Sequence, residues 1–232
     1  MGLITIIIGS FKEYIILNTI IIIHELGHFM TAKILGINVK YIYIYPLGGI
    51  SKFNMLLNDY IWKELLILLA GPLTQNIAYI ILINIFNRDR EVILIYHLSI
   101  LIFNLLPIYP LDGGRIVNLL FNIFIPYKKS LQLIIKISYI TTLIIFIIQK
   151  NITINIIIML LFLLILIHKE ENKINFIYNK FLLERVMNNY NFKRRKMINN
   201  ITNFYRNRTH LIKENGKYYE EKEYLTKKYH GI

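Results

Sequence analysis

The sequence predicts an all-α fold of the membrane class: a polytopic helical bundle of about five to six spans, with a short membrane-associated β-hairpin and a small cytoplasmic α+β tail. Three observations predict it. Hydrophobic residues fill 55% of the 232 positions and mean hydropathy is +0.47, which is too apolar for an ordinary soluble domain. Apolar stretches near the roughly 20 residues that cross a bilayer recur along residues 1–168. The charge is uneven: residues 1–168 carry 12 Lys+Arg against 7 Asp+Glu, and residues 169–232 carry 15 against 7. A basic tail behind the last span points to the cytoplasmic side and to an anionic lipid surface. No nucleic-acid-binding motif accompanies that charge, so direct contact with nucleic acid is not expected. The chain divides on this basis into a domain of residues 1–168 and a basic region of residues 169–232.

The elements follow in order. Met1 to Gly9 is apolar but too short to span, and it lacks the basic start and small-residue cleavage site of a signal peptide. It reads as a short packed segment or a partial first span. Tyr14 to Leu35 is the first full span. Lys40 to Lys52 alternates β-branched and aromatic residues and then meets Gly48-Gly49, which predicts a hairpin. At membrane depth such a hairpin must be covered by protein or line a cavity. Trp62 to Phe86 is the next span, interrupted by Ala70-Gly71-Pro72, and Asn87 to Glu91 is a charged turn. Val92 to Leu106 is a span stopped by Pro107 and Pro110, and Leu111-Asp-Gly-Gly-Arg115 opens an apolar helix ending near Phe124. Leu131 to Ile148 and Ile152 to Ile167 are the last two spans, joined by Gln149-Lys-Asn151. In the tail, Ile174 to Tyr190 reads as an amphipathic helix, Lys193 to Lys196 as a solvated or lipid-facing basic run, and His210 to Tyr219 as two strands around Asn215-Gly216 before a helix. With the tail inside, Lys128-Lys129 and the connection from Lys33 to Lys63 also fall inside, and residues 87–91 and 149–151 fall outside.

Chemistry enters in the first span, at His24-Glu-Leu-Gly-His28. Four residues apart on a helix, His24 and His28 share one face one turn apart. Two imidazoles and a carboxylate in this spacing form the H-E-x-x-H arrangement that holds zinc and activates a water, although short motifs also recur by accident. Ionisable groups in hydrocarbon are costly, so such a cluster is a functional hypothesis by default. Cysteine is absent, which excludes disulfides, thiolate metal sites and a cysteine nucleophile. A catalytic zinc takes three protein ligands and leaves a position for water. Glu64 begins a span, and Asp89 and Glu91 sit in the turn assigned to the opposite face, so Asp112 remains as the third ligand. An Asp-Gly turn after a helix is also common in ordinary loops. Asp112 falls at the same depth as the histidines when the tail is cytoplasmic. His97 lies mid-span, seven residues before Asn104, where it either hydrogen-bonds between helices or serves as a further ligand or relay. His168 reads as interfacial, and His210 and His230 have no metal-ligand spacing. Tyr41, Tyr43 and Tyr45 alternate, either as an aromatic belt or as a strand face whose edge adds an extended peptide.

His24-Glu-Leu-Gly-His28 taken with Asn104-x-x-Pro-x-x-x-Leu-Asp-Gly-Gly-Arg115 resembles the site-2 protease family of intramembrane zinc metalloproteases, peptidase family M50. Tyr45-Pro-Leu-Gly-Gly49, Ala70-Gly-Pro-Leu73, Leu98-Ser-Ile100 and Phe181-Leu-Leu-Glu-Arg185 place the resemblance in its sporulation branch. The resemblance implies one zinc ion per chain held by His24, His28 and Asp112, Glu25 as general base, and Asn104 as a substrate-binding amide; an ordinary helix-to-helix hydrogen bond is the other role open to Asn104. It implies a membrane-tethered protein substrate, a sigma factor precursor, with inhibitory membrane partners and a homo-oligomer left open. Two rival readings are a general site-2 protease acting on an anti-sigma factor or a signal-peptide remnant, and a non-catalytic zinc-binding scaffold. The chain departs from the family at Gln75, where Asn is usual, with Asn76 beside it. The 64 residues after the last span suffice for only one incomplete CBS-like unit.

Overall fold

A computed structural model describes residues 11–45, 48–53, 55–149, 153–188, 190, 192–214 and 216–229. The reading of residues 1–10 as a partial span, the Pro46-Leu47 pair, most of the 149–151 connection, Asn215 and His230 lie outside these. Eight helices and five strands are described: α1 (Phe11–Ile34), β1 (Val39–Tyr45), β2 (Gly48–Phe53), α2 (Ile61–Ile85), α3 (Arg90–Leu105), α4 (Asp112–Phe124), α5 (Tyr127–Ile148), α6 (Ile154–Asn172), α7 (Ile174–Met187), β3 (Arg195–Ile198), β4 (Thr209–Glu214), β5 (Lys217–Glu220) and α8 (Glu221–Tyr229). Single turns of 3-10 helix occupy Asn87–Asp89 and Ile201–Asn203.

Among the described residues, three helices are long and apolar enough to cross a membrane: α1, α2 and α5. Their outward residues are large and apolar, among them Leu73, Ile77, Ile80 and Ile81 on α2 and Ile140, Leu143, Ile144 and Ile147 on α5. That composition suits lipid and not water. Helix α3 has 16 residues, short of the roughly 20 that a full crossing takes. The last turns of α6 carry Lys169, Glu170 and Glu171, which shortens its apolar run.

The chain forms two compact units, residues 1–55 with 62–106, and residues 56–61 with 107–232. In the first unit α1 packs with α3 and with the hairpin. The hairpin is antiparallel, pairing Val39 with Phe53 and Tyr45 with Gly48, with a register shift between Val39 and Tyr41. The buried faces follow helical spacing. On α1 they are Ile20, Ile21, His24, Glu25, Gly27, His28 and Ala32; on α3, Ile93, His97, Ile100 and Asn104.

In the second unit α4, α5, α6 and α7 pack in sequence, and a three-stranded sheet of order β3-β4-β5 follows. Strands β4 and β5 are antiparallel around Gly216, whose φ of +76° belongs to the left-handed region that a tight hairpin turn requires. A helix follows the hairpin, as the sequence predicts; α8 begins at Glu221, one residue after the Glu220 start that the sequence suggests, because Glu220 closes β5. Lys193, Arg194 and Arg195 are exposed, as a solvated basic run should be, and Lys196 is half-buried. The end of this run is strand β3, paired in parallel with β4 from Arg195 opposite Thr209 to Ile198 opposite Ile212. Lys196 Nζ lies 2.7 Å from Tyr205 Oη and 3.9 Å from that ring's centre. A parallel partner lies far along the chain, so alternation within four residues does not reveal it. The composition break at residue 168 falls within α6, inside the second unit.

A short segment placed before α2 belongs to the second unit, and α7 explains why. Glu184 accepts from the backbone N–H of Leu57 at 2.7 Å and of Asn58 at 3.3 Å. Asn58 donates to the carbonyl of Phe181 at 2.8 Å and accepts from Arg185 Nε at 2.6 Å. Arg206 donates to the carbonyl of Asp59 at 3.0 Å. The Phe181-Leu-Leu-Glu-Arg185 signature is therefore a clamp: Phe181 is fully buried against Tyr127, ring centres 4.5 Å apart, while Glu184 and Arg185 grip residues 57–58.

Candidate metal centre

The site starts from the period of α1. His24 and His28, one turn apart, meet edge to face with ring centres 4.8 Å apart and are 1% and 3% exposed. Glu25, beside them, is 4% exposed. These three residues can each offer a ligand atom within 4.8 Å of the others, the only such group among the described residues.

Helix α2 supplies the wall. His28 Nδ1 is 2.7 Å from the carbonyl of Ile67. A carbonyl only accepts, so Nδ1 carries the hydrogen and Nε2 keeps its lone pair. His24 Nδ1 is 2.9 Å from Gln75 Oε1. The amide orientation of Gln75 follows from its other end: Nε2 lies 2.9 Å from the backbone carbonyl of His97 and 3.2 Å from His97 Nδ1. Only an amine can face a carbonyl, so the oxygen must face His24, which then also donates from Nδ1. The two Nε2 atoms, both acceptors in this arrangement, converge at 3.1 Å. Two lone pairs facing each other repel at that distance unless a cation lies between them. Two nitrogens bound tetrahedrally at about 2.0–2.1 Å would be roughly 3.3 Å apart. The donor set therefore fits zinc.

Two glycines make this approach geometrically allowed. A Cβ on Gly71 would fall on His28 Nε2 and Cε1 and 2.9 Å from His24 Nε2, so any side chain there would fill the ligand space. A Cβ on Gly27 would collide with Thr74 Oγ1 and come 2.7 Å from the carbonyl of Ala70, so glycine brings α1 close to α2. Thr74 donates there, within 2.9 Å of the Ala70 carbonyl and 3.3 Å of the Ile23 carbonyl across the pair. Pro72 offers no N–H to the carbonyl of Leu68, so this turn of α2 has irregular hydrogen bonding beside the site.

The other sequence-predicted residues fall as follows. Asn104 is 5% exposed on the last turn of α3, on the same buried face as His97. His97 is hydrogen-bonded between helices, as the first of its two readings holds, and it stacks on Tyr79 at 4.3 Å between ring centres. Gln75 and Asn76, left open by sequence, separate: Gln75 is buried between His24 and His97, while Asn76 is exposed and bonds back to the carbonyl of Pro72. Asp112 belongs to the second unit. It begins α4 in the first turn, where a carboxylate suits the helix N-terminus. Its turn is tightly built: Leu111 N–H donates to the Ile108 carbonyl at 2.8 Å, and the Tyr109 N–H donates to Ser138 Oγ at 2.8 Å. A Cβ on Gly114 would collide with the backbone of Ile108 and Tyr109, so the glycine pair of Leu111-Asp-Gly-Gly-Arg115 permits close backbone approach.

Comparison with known proteins agrees with this chemistry. The pattern of peptidase family M50 matches residues 13–88 and 90–149. Stage IV sporulation protein FB of Bacillus subtilis is 32% identical over 196 residues, which is 80% of this chain and 66% of that protein. A zinc metalloprotease of Methanocaldococcus jannaschii is 33% identical over 129 residues, 52% of this chain and 37% of that protein. The chain thus spans about two thirds or less of the length of these relatives. The solved structure of the site-2 protease from Methanocaldococcus jannaschii matches with a TM-score of 0.58 at 27% identity, over 72% of this chain and 82% of that one.

Proposed function

The chain belongs to peptidase family M50, and from that premise we propose that it is an intramembrane zinc endopeptidase that cleaves a membrane-associated protein near the cytoplasmic face. One observation carries the proposal: two buried imidazoles with their Nδ1 hydrogens committed turn both Nε2 lone pairs to one point, beside a buried carboxylate. His24, His28 and Asp112 would hold one zinc ion, which when bound would supply Lewis acidity and lower the pKa of a water to near neutrality. Glu25 would take a proton from the water whose oxygen attacks the peptide carbonyl carbon, and would return that proton to the amine nitrogen as the C–N bond breaks. Asn104 donates its amide hydrogens to the substrate carbonyl or backbone. Gly71 keeps the space over the imidazoles clear. A zinc carrier would have no use for Glu25, so the carboxylate favours an enzyme over a scaffold.

The substrate is a sigma factor precursor tethered to the membrane. The likeness to a protein named for stage IV of sporulation supports this, as does the resemblance of Phe181-Leu-Leu-Glu-Arg185 to the sporulation branch. The rest of the proposal is a multi-pass protein of the bacterial cell membrane with five to six spans, a protease domain of residues 1–168 and a cytoplasmic region of residues 169–232. Coexpression with membrane-tethered sigma factor precursors, read by the mass of the products, tests the substrate. Cleavage of an anti-sigma factor or a signal-peptide remnant with every precursor left intact would replace this substrate with the general one.

A further inference from the structure

Gln75 has no chemistry of its own to offer a protease, yet it is 1% exposed in the middle of an apolar helix. Placing a primary amide there costs several kcal/mol unless its donors and acceptor are matched. All are matched, and by one arrangement only. Its two amine hydrogens go to the backbone carbonyl of His97 at 2.9 Å and to His97 Nδ1 at 3.2 Å. Its oxygen is then the acceptor for His24 Nδ1, 2.9 Å away and 51 residues distant in sequence. The His97 ring is itself fixed by stacking on Tyr79, which lies one helical turn beyond Gln75 on α2.

We propose that Gln75, held by His97, is the positioning residue for the metal ligand His24: it selects the Nδ1–H tautomer and so turns Nε2 toward the ion. Ile67 performs the same task for His28 through its carbonyl. The two ligands differ in consequence. The His28 partner is backbone and survives any substitution, whereas the His24 partner is a side chain that a mutation removes. Outer partners of this kind typically change metal affinity by 10- to 100-fold.

This inference rests on the zinc reading of the previous subsection. Its test is the zinc dissociation constant of the full chain in detergent, by chelator competition, for the wild type, His24→Ala, Gln75→Leu and Gln75→Glu. Melting of the metal-free proteins serves as the folding control. Gln75→Leu should bind zinc 10- to 100-fold more weakly. Gln75→Glu, which still accepts from Nδ1, should retain wild-type affinity or exceed it. In turnover, Gln75→Leu should lower kcat with little change in KM. Equal zinc affinity in the wild type and Gln75→Leu would overturn the inference while leaving the zinc site standing. Equal losses in Leu and Glu that track the metal-free melting temperature would overturn it in favour of a packing role. A wild type whose zinc affinity does not depend on His24 would overturn the zinc reading itself.

Discussion

At the scale of single residues the site is a problem of lone pairs. Both imidazoles spend Nδ1 on α2, one on a carbonyl and one on Gln75, and what remains is a pair of nitrogens facing each other at 3.1 Å. In the proposed site that pair would supply two of the three protein ligands that a catalytic zinc takes. Asp112→Ala should therefore lower the zinc measured per purified chain by elemental analysis, and unchanged metal content would reject Asp112 as the third ligand. The sequence made half of this legible. The spacing of His24, Glu25 and His28 specifies a common face because helical period is local. Gln75 was not legible, because its partners lie on α1 and α3 and only tertiary packing brings an amide between them. The one signal available was an amide pair at 75 and 76 inside an apolar helix, which marks a polar contact without saying which residue makes it.

At the scale of elements, the α7–β4–α8 assembly couples charge to fold. Arg185 is buried with a bond to Glu221, donates to the carbonyls of Tyr205 at 2.7 Å and Arg208 at 3.0 Å, and packs 4.8 Å from the Phe181 ring. Burial pulls the Arg185 pKa down, and Glu221 opposes that fall. His210 accepts from the Tyr205 N–H at Nε2, 3.0 Å away, and its Nδ1 lies 3.5 Å from Glu221. Burial holds the His210 pKa below its ordinary 6.5. Burial alone would raise the Glu221 carboxyl, but His210 and Arg185 together bring it below its ordinary 4.5. Both shifts act in one direction. On acidification the unfolded tail binds protons before the folded tail does, so stability falls with pH. Loss begins as pH drops below 6.5, through His210, and deepens below 4.5, through Glu221. Hydrogen exchange of residues 209–229, corrected for its intrinsic pH dependence, should show protection falling between pH 7 and pH 5. His210→Gln, which can still accept from Tyr205, should flatten that fall, and an unchanged profile would reject His210 as its source. The β4–β5 hairpin and α8 were legible from the Asn-Gly turn. Strand β3 was not, since its partner lies fourteen residues on, Arg195 opposite Thr209.

At the scale of the whole molecule, hydrophobicity marks the lipid faces, and charge offers an orientation to test. The exposed residues of α1, α2 and α5 are those a bilayer would cover. The excess of basic residues beyond position 168 favours a cytoplasmic C-terminus. The absence of cysteine makes this directly measurable. A cysteine at Lys222 should stay unlabelled in intact cells by a thiol reagent that does not cross the membrane, and one at Asn87 should be labelled. The reverse pattern would invert the orientation. Helical content and the principal spans could be read from hydropathy because bilayer thickness is a fixed ruler. The division into two units was not readable, since residues 56–61 leave their sequence neighbours for α7 through hydrogen bonds more than 120 positions long.

The central claim is that Glu25 moves protons at a zinc site built on α1. Glu25→Gln, reconstituted beside the wild type with a membrane-tethered substrate and assayed for both bound zinc and cleavage, tests it most directly. The account predicts wild-type zinc content with cleavage slowed by about 10²- to 10⁴-fold, the usual contribution of a general acid–base group. Cleavage by Glu25→Gln at the wild-type rate would contradict it.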